Sequence, residues 1–445
     1  MDKINSNDLL VKILSFLPTK DAVTTSVLSK RWKSLWMWVP NLEYDDHTTK
    51  PSNRGRQRLR RFIKRTLPLH RAPILESLCL KLSALPSQPE DIKQLVEAAV
   101  SLCVREISIA YYTYRIRSKN TTLPICLFTS KSLVSLTLNL NCTVVFDVPR
   151  FACLPSLKSL HLQDVRYTDE SFRPLGDSHT VCFPSLKSLY LIDVIFFDKE
   201  SLGLLLANCP DLEDLAMVRH GDYDNLGFVS IVVPSLKNLL LYIDSECSSH
   251  GVEIVTPSLE YIKLEDHCNH HFLIENMPEL EEAEIHADIL DDSEKFLGPF
   301  SSVKRLTLRL NLKRTEAKNV AALFFNQLES LKIYSCSPYW SILLLRLLKG
   351  SPKLKVLDLY NDTIALSFKA PLVCWDQLTY VPECLLTRLE TFTWTSLQQS
   401  KEARDVVAYI KKNSCRLKPE TVDGTWCFLG CMYPCIIRGD EVIEI

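Results

Sequence analysis

His267, Cys268, His270 and His271 fall within five residues, and all four side chains are of types that ligate transition metals. Their spacing matches no standard zinc pattern, and they follow an alternating apolar segment, where a polar turn is the simpler reading. Cys427, Cys431 and Cys435 recur every four residues. Zinc would still need a fourth ligand and a tight turn that Tyr433-Pro434 does not obviously supply, so neither group is expected to hold metal. A third candidate is cationic: RGRQRLRRFIKRTLPLHR, residues 54–71, carries eight Lys and Arg and could mark an anionic surface or a nuclear-localisation patch. Leu59, Phe62, Ile63 and Leu67 recur inside it at helical spacing, which predicts an outer helix leading into the body of the protein.

Catalysis lacks a constellation. Neither H-E-x-x-H nor G-x-S-x-G occurs, and no serine or cysteine is spaced to sit beside its base. Glycine makes up 11 of 445 residues, about a third of common usage, and no phosphate-cradling glycine loop is present. The sequence therefore predicts neither an enzyme nor a cofactor. A formal net charge of -1 supplies no general field for nucleic acid or an anionic membrane. The richest apolar run, WSILLLRLLKG, is broken by Arg346, so no membrane span is expected. Sixteen cysteines without a C-x-x-C pair, and no secretory signal, point to reduced thiols in cytoplasm or nucleus.

What the chain does contain is a period. LPSLKSLHL at 154–162, FPSLKSLYL at 183–191 and VPSLKNLLL at 233–241 are one unit rewritten. The template L-x-x-L-x-L starts at Leu75, Val104, Leu133, Leu157, Leu186, Leu212, Leu236, Leu259, Leu280, Val303, Leu328, Leu354 and Leu389. Apart from a longer last step, successive starts lie about 20 to 29 residues apart, the period of leucine-rich repeats. In each unit the L-x-L segment is expected to be a short strand with its leucines in a shared core, the return being a helix or an irregular turn. Thirteen such strands would make a parallel sheet roughly 60 Å along its concave face, a size suited to a protein ligand. The residues alternating with the leucines line that face. Tyr190, Tyr242, Lys263, Glu284, Arg309 and Tyr334 are the expected substrate-binding anchors, because Tyr and Arg dominate interface energetics. The simpler reading of the acidic pair Glu282 and Glu284 beside Arg305 and Arg309 is that neighbouring rungs neutralise each other.

The first forty residues do not follow the period. Leu9, Leu10, Ile13, Leu14 and Leu17 form a helical stripe ending at Pro18, a second helix can start after Thr19, and a third carries Trp32, Leu35 and Trp36. So small a module cannot bury all that apolar surface by itself, so part of it must meet the first repeat or a partner. NDLLVKILSFLPTKDAVTTSVLSKRWKSLWMWVPNLEYDD resembles an F-box of the large plant class from Asp8 to Tyr44. The resemblance implies docking on a Skp-type adaptor, and through it a cullin, of a ubiquitin ligase. The adaptor-binding residues it implies are Leu9, Leu10, Ile13, Leu14, Leu17, Pro18, Val23, Leu28, Trp32, Leu35 and Trp36. Where the family usually opens with Leu-Pro, this chain has Asn5 and Ser6, a loss that could weaken docking by roughly 1 to 2 kcal/mol. Weak docking would leave a repeat scaffold that binds partners without ubiquitination.

Residues 375–418 are similar to the FBD domain found behind the repeats of many plant F-box proteins, in V-P-E-C-L, L-E-x-F-x-W and V-V-x-Y-I-x-K-N. Physically they read as one more repeat strand and an amphipathic helix with Val406, Val407 and Ile410 on its face, a C-terminal cap. The expected fold is α/β: a three-helix F-box at 1–44, a basic helical linker at 45–72, an irregular leucine-rich-repeat solenoid at 73–374, the FBD-like cap at 375–418 and a diverged tail at 419–445. The expected role is substrate recognition for a Skp-cullin-F-box ligase, with a protein substrate the sequence does not name.

Overall fold

The computed structural model describes residues 6–46, 53–83, 90–112, 121–140, 144–147, 153–168, 183–196, 200–221, 226–244, 247, 251–267, 269–288, 293–313, 315, 317, 324–360, 373–395, 401–418, 435–438 and 441–444. The chain divides into two compact units, Met1–Leu280 and Glu281–Ile445.

The first unit opens with helix Ser6–Leu14, then Thr19–Thr24 continued by a 3₁₀ turn Thr25–Val27, and a 3₁₀ segment Trp32–Trp38. Leu14, Ala22, Leu35, Trp36 and Val39 close a small core against which Leu10, Val11, Val23, Trp32 and Met37 are packed. Pro18 separates the first helix from the second and presets the entry to it, its carbonyl accepting from the N–H groups of Asp21 and Ala22. The chain then enters strand Asn41–Asp45, where Leu42 and Tyr44 are buried. This strand pairs in parallel with Ser77–Ser83, so one rung precedes the thirteen that the period reveals. It escapes the template because NLEYD supplies only two inward side chains, one of them a tyrosine. The basic helix Asn53–Thr66 bridges the two strands and buries Ile63, while the Arg60 guanidinium donates to the Ser83 carbonyl at 2.6 Å.

Nine parallel strands make the main sheet of this unit: the two above, then Glu106–Tyr112, Ser135–Asn139, Ser159–Gln163, Ser188–Ile192, Asp214–Arg219, Asn238–Ile243 and Tyr261–Asp266. In the second unit five more run in parallel: Glu282–Asp288, Arg305–Asn311, Ser330–Tyr334, Val356–Tyr360 and Thr391–Thr395. All thirty-nine side chains of the thirteen template triplets are at most 3% exposed, so every one of them goes into the core. Registers keep the template aligned: Leu136, Leu160 and Leu189 stand opposite one another, as do Leu306, Leu331, Leu357 and Phe392. A stack this regular buries in each unit a face that no single unit could hide.

The returns differ from expectation. Several are neither helix nor irregular turn but short parallel strands forming secondary sheets: Thr121–Thr122, Val144–Asp147, Arg166–Thr168 and Ile195–Phe196 in one, Val229–Val232, Gly251–Val255 and His271–Ile274 in the other. The reason is local. The three steps between Leu212 and Leu280 are among the shortest, and their return sequences VSIV, GVEIV and HFLI are β-branched and aromatic. Two of the longer steps return as helices, Glu90–Ser101 in the step from Leu75 to Val104 and Trp340–Gly350 in that from Leu328 to Leu354, so step length alone does not decide the return. The turn after the strand, where such repeats commonly place Asn, is made at two rungs by Asp164 and Asp193, both at positive φ (50° and 49°), a conformation that Asp tolerates better than most residues.

In the second unit the helix Lys401–Asn413 packs Val406 and Ile410 inward with Val407 half-buried, against the segments Trp375–Gln377 and Glu383–Thr387. The Trp375 ring lies tilted against Tyr409 at 5.2 Å and Trp340 meets Trp394 edge-on at 5.6 Å. The chain then returns to the start of the last strand, the Lys418 N–H donating to the Glu390 carbonyl at 3.0 Å. Of the tail, only a hairpin of Cys435–Arg438 with Glu441–Glu444 is described.

Candidate functional site

Two surfaces carry the residues singled out by sequence. On the N-terminal module, the eleven expected adaptor contacts separate. Leu14, Leu35 and Trp36 are 0 to 6% exposed and belong to the module's own core, and Leu10, Val23 and Trp32 are half-buried against it. Burial removes the first three from any docking surface: a helix must spend one face on its neighbours, and periodicity alone does not say which leucines do so. Leu9, Ile13, Leu17, Pro18 and Leu28 remain exposed. Phe16 (78% exposed) and Val27 (87%) join them and were not among the expected contacts. Their signal was present: each adjoins an expected contact, Leu17 or Leu28, but falls off the stripe that the first leucines define. The structure thus leaves large apolar side chains on a module that already has a closed core. Asn5 lies outside the described residues, and Ser6 begins the first helix.

On the sheet, the residues alternating with the leucines are mostly half-exposed, aligned in rows across the rungs. In the first unit His161, Tyr190, Ala216, Leu240 and Lys263 form one row, and Gln163, Ile192, Val218, Tyr242 and Glu265 the next. Ile192, Ala216, Val218 and Leu240 are buried, which sequence alternation did not foresee, so Tyr190 and Tyr242 flank an apolar floor. His161 sits 5.6 Å from the Tyr190 ring, and Tyr242 is bracketed by His220 at 5.0 Å and His267 at 5.8 Å. Asp193 holds His220 in place through its Nδ1 at 3.0 Å and backbone N–H at 2.8 Å. Burial raises the Tyr242 phenol above its ordinary pKa, helped by Asp244 and Glu265, so it stays a hydrogen-bond donor. Burial lowers the His161 imidazole, keeping it neutral. Lys263 pairs with Glu265 at 3.2 Å along its own strand.

The second unit presents a more charged face. Lys332 lies 5.3 Å from the Tyr334 ring centre and 4.3 Å from that of Tyr360, the two tyrosines being stacked 5.2 Å apart. Burial would lower the Lys332 ammonium, but Tyr334, Tyr360 and Glu284 together outweigh it and hold the pKa above its ordinary value. Opposite Lys332 stands Asp358, which accepts from the Thr393 hydroxyl. Arg305 donates to Glu282 at 2.7 Å, so that part of the acidic and basic pairing is real. Arg309 lies opposite His286, whose ring meets Tyr334 edge-on at 5.8 Å. Tyr190, Tyr242 and Lys263 are therefore grouped in one unit and Glu284, Arg309 and Tyr334 in the other.

Of the metal candidates, the group His267 to His271 is described in part. His270 Nδ1 is 2.6 Å from the buried Asp266 carboxylate, and Asn269 takes positive φ in a tight turn. Among the described residues no group of ligands could hold a metal ion; Cys268, Cys427 and Cys431 lie outside them.

Comparison with known proteins agrees with this layout. The family profile described as F-box domain matches residues 6–44, and that described as FBD matches 377–421. A leucine-rich-repeat profile covers 156–173, and a profile for the repeats of the FBD-associated F-box protein At5g56370 covers 171–282. In Arabidopsis thaliana, the FBD-associated F-box protein At4g10400 is 41% identical, over 95% of this chain and 92% of its own length. The FBD-associated F-box protein At5g38590 is 40% identical over 96% and 95% respectively. The chain belongs to the FBD-associated F-box/leucine-rich-repeat family. An F-box/FBD/LRR-repeat protein of the same plant, At5g56420, is 37% identical over 93% of this chain and 88% of its own. Within this F-box/LRR protein the profile for the first module stops at Tyr44, inside the strand that joins the sheet.

Proposed function

We propose that the protein is the non-catalytic substrate-recognition subunit of a Skp-cullin-F-box ubiquitin ligase, working in cytoplasm or nucleus. The observation that carries this reading is the exposed apolar set Leu9, Ile13, Phe16, Leu17, Val27 and Leu28 on an F-box whose own core is already closed. Each side chain of this kind adds about 1.5 to 3 kcal/mol when it becomes buried against a partner, before the costs of association. A Skp-type adaptor, with a cullin behind it, would cover this set. The aromatic rows on the sheet, Tyr190 and Tyr242 in one unit and Tyr334 in the other, would take the protein substrate, with Lys263, Glu284 and Arg309 giving charge selectivity. The contribution to the reaction is then positioning: a substrate lysine is held near the ubiquitin carrier supplied by other subunits.

The test is capture of purified full-length protein by recombinant Skp adaptors, with a Val27→Asp/Leu28→Asp variant beside it. Capture by the parent and its loss in a normally folded variant supports the ligase reading. Absence of capture by the folded parent removes it and leaves a partner-binding scaffold.

A further inference from the structure

The helix Asn53–Thr66 contains seven Lys and Arg and no acid. Arg54, Arg58, Arg61 and Arg65 stand at i, i+4, i+7 and i+11, which at about 100° per residue keeps them within roughly 40° of a single line along the helix. All four are exposed, and none has a hydrogen-bond or ion-pair partner among the described residues. Packing is handled elsewhere on the helix: Ile63 is buried, Leu59 and Phe62 are half-buried, and the Phe62 ring meets Tyr44 at 6.2 Å. Arg60 is spent on the Ser83 carbonyl. The stripe therefore contributes nothing to holding the helix in place and opposes it, because like charges three and four residues apart repel and Arg54 sits at the unfavourable end of the macrodipole.

We propose that this arginine stripe is a docking surface for an acidic segment of a partner protein, whose Asp and Glu side chains pair with the four guanidiniums. The stripe is short, about 16 Å from Arg54 to Arg65 at 1.5 Å per residue, the length of a peptide of a few turns or an extended five-residue stretch. Its flank carries more acids than bases: Asp21, Glu43, Asp45 and Asp46 line, together with Lys20 and Arg58, a cavity of about 740 Å³ beside the helix, Glu43 being paired with Lys81 at 3.3 Å and Asp46 buried against Ser83. A nucleic-acid backbone, charged at every step, would bring phosphates over those carboxylates, and the chain's net charge of -1 gives no wider positive field to offset that. A peptide can place its acids on the stripe and neutral residues on the flank. Arginine is also the side chain whose planar fork pairs with a carboxylate through two parallel hydrogen bonds.

The experiment uses the full chain and fluorescence anisotropy with a labelled helical peptide of about 14 residues carrying Glu at the four matching positions. The same peptide with Gln, an oligonucleotide duplex and phosphatidylserine vesicles serve as competing probes. Expected are saturable binding of the Glu peptide only, weakening as salt is raised, and a loss of about tenfold or more in the Arg54→Gln/Arg58→Gln/Arg61→Gln/Arg65→Gln variant. That variant should unfold at the same temperature as the parent or higher and capture a Skp adaptor equally well, separating this surface from the F-box. If the quadruple variant does not fold, Arg58→Gln and Arg61→Gln singly should each lower affinity about threefold. Undiminished peptide binding by the variants, or tighter binding of duplex or vesicles than of peptide by the parent, overturns the proposal.

Discussion

The F-box and the repeats treat their leucines in opposite ways. Every template side chain of the thirteen repeats is withdrawn from water, whereas Leu9, Ile13, Phe16, Leu17, Val27 and Leu28 remain exposed on a module of about forty residues. The difference is geometric. Within each unit a repeat stands in register beside its neighbour, so its apolar face is met by a similar one; the first module has only its own short elements and closes a core around Leu14, Leu35 and Trp36. Leucine that recurs with the repeat period is therefore structural throughout, whereas the leucines of the first module divide between its core, as Leu14 and Leu35 do, and its open surface.

The strongest way to break that contrast is within the stack. Leu239→Ala, fully buried between rungs, is expected to cost about 2 to 5 kcal/mol and to lower the thermal midpoint clearly in a melting experiment. A change below about 0.5 kcal/mol would mean that the rungs do not share one core. On the F-box the same class of residue should behave differently: Val27→Asp/Leu28→Asp is expected to leave stability within about 0.5 kcal/mol while reducing adaptor capture about tenfold or more.

A third expectation concerns the histidines on either side of the contrast. His70, buried just after the basic helix with neither ring nitrogen partnered, has its pKa lowered from 6.5 by burial, and His161 on the sheet is lowered for the same reason. The unfolded chain then takes up protons near pH 6.5 that the folded protein refuses. Stability is complete above that pH and falls as the pH is lowered from it towards the folded values. Melting curves between about pH 7.5 and 5.5 should show this decline, and His70→Gln should flatten it.

The smallest effect sharpens the other comparison, between the two sheet faces. Lys332→Ala removes a cation held over two tyrosines, worth about 0.5 to 1 kcal/mol, and should leave melting nearly unchanged while weakening retention of any partner bound on the second unit. The first unit, with its His161, Tyr190 and Tyr242 rings over buried aliphatic side chains, would be indifferent to that change.

Much of this architecture was legible in one dimension. The thirteen strands and their inward side chains followed from L-x-x-L-x-L, because alternation and a fixed repeat length together specify both face and register. The rung Asn41–Asp45 was not, since two inward side chains make no pattern, and the strand-like returns between Leu212 and Leu280 became evident only when neighbouring returns could pair. The site was half legible: alternation placed Tyr190, Tyr242 and Tyr334 on the open side of the sheet, but not the ring contacts that bracket Tyr242 or set Lys332 between two tyrosines.

The sequence by itself determined which residues go inward in the repeats and that the front of the chain is a different module, because both are properties of local period. Only the tertiary structure decided which leucines of the F-box are core and which are surface, and that four arginines of one helix stand in line without partners among the described residues. Those outcomes depend on which faces of short elements meet, and a helix of two or three turns has more apolar positions than its neighbours can cover.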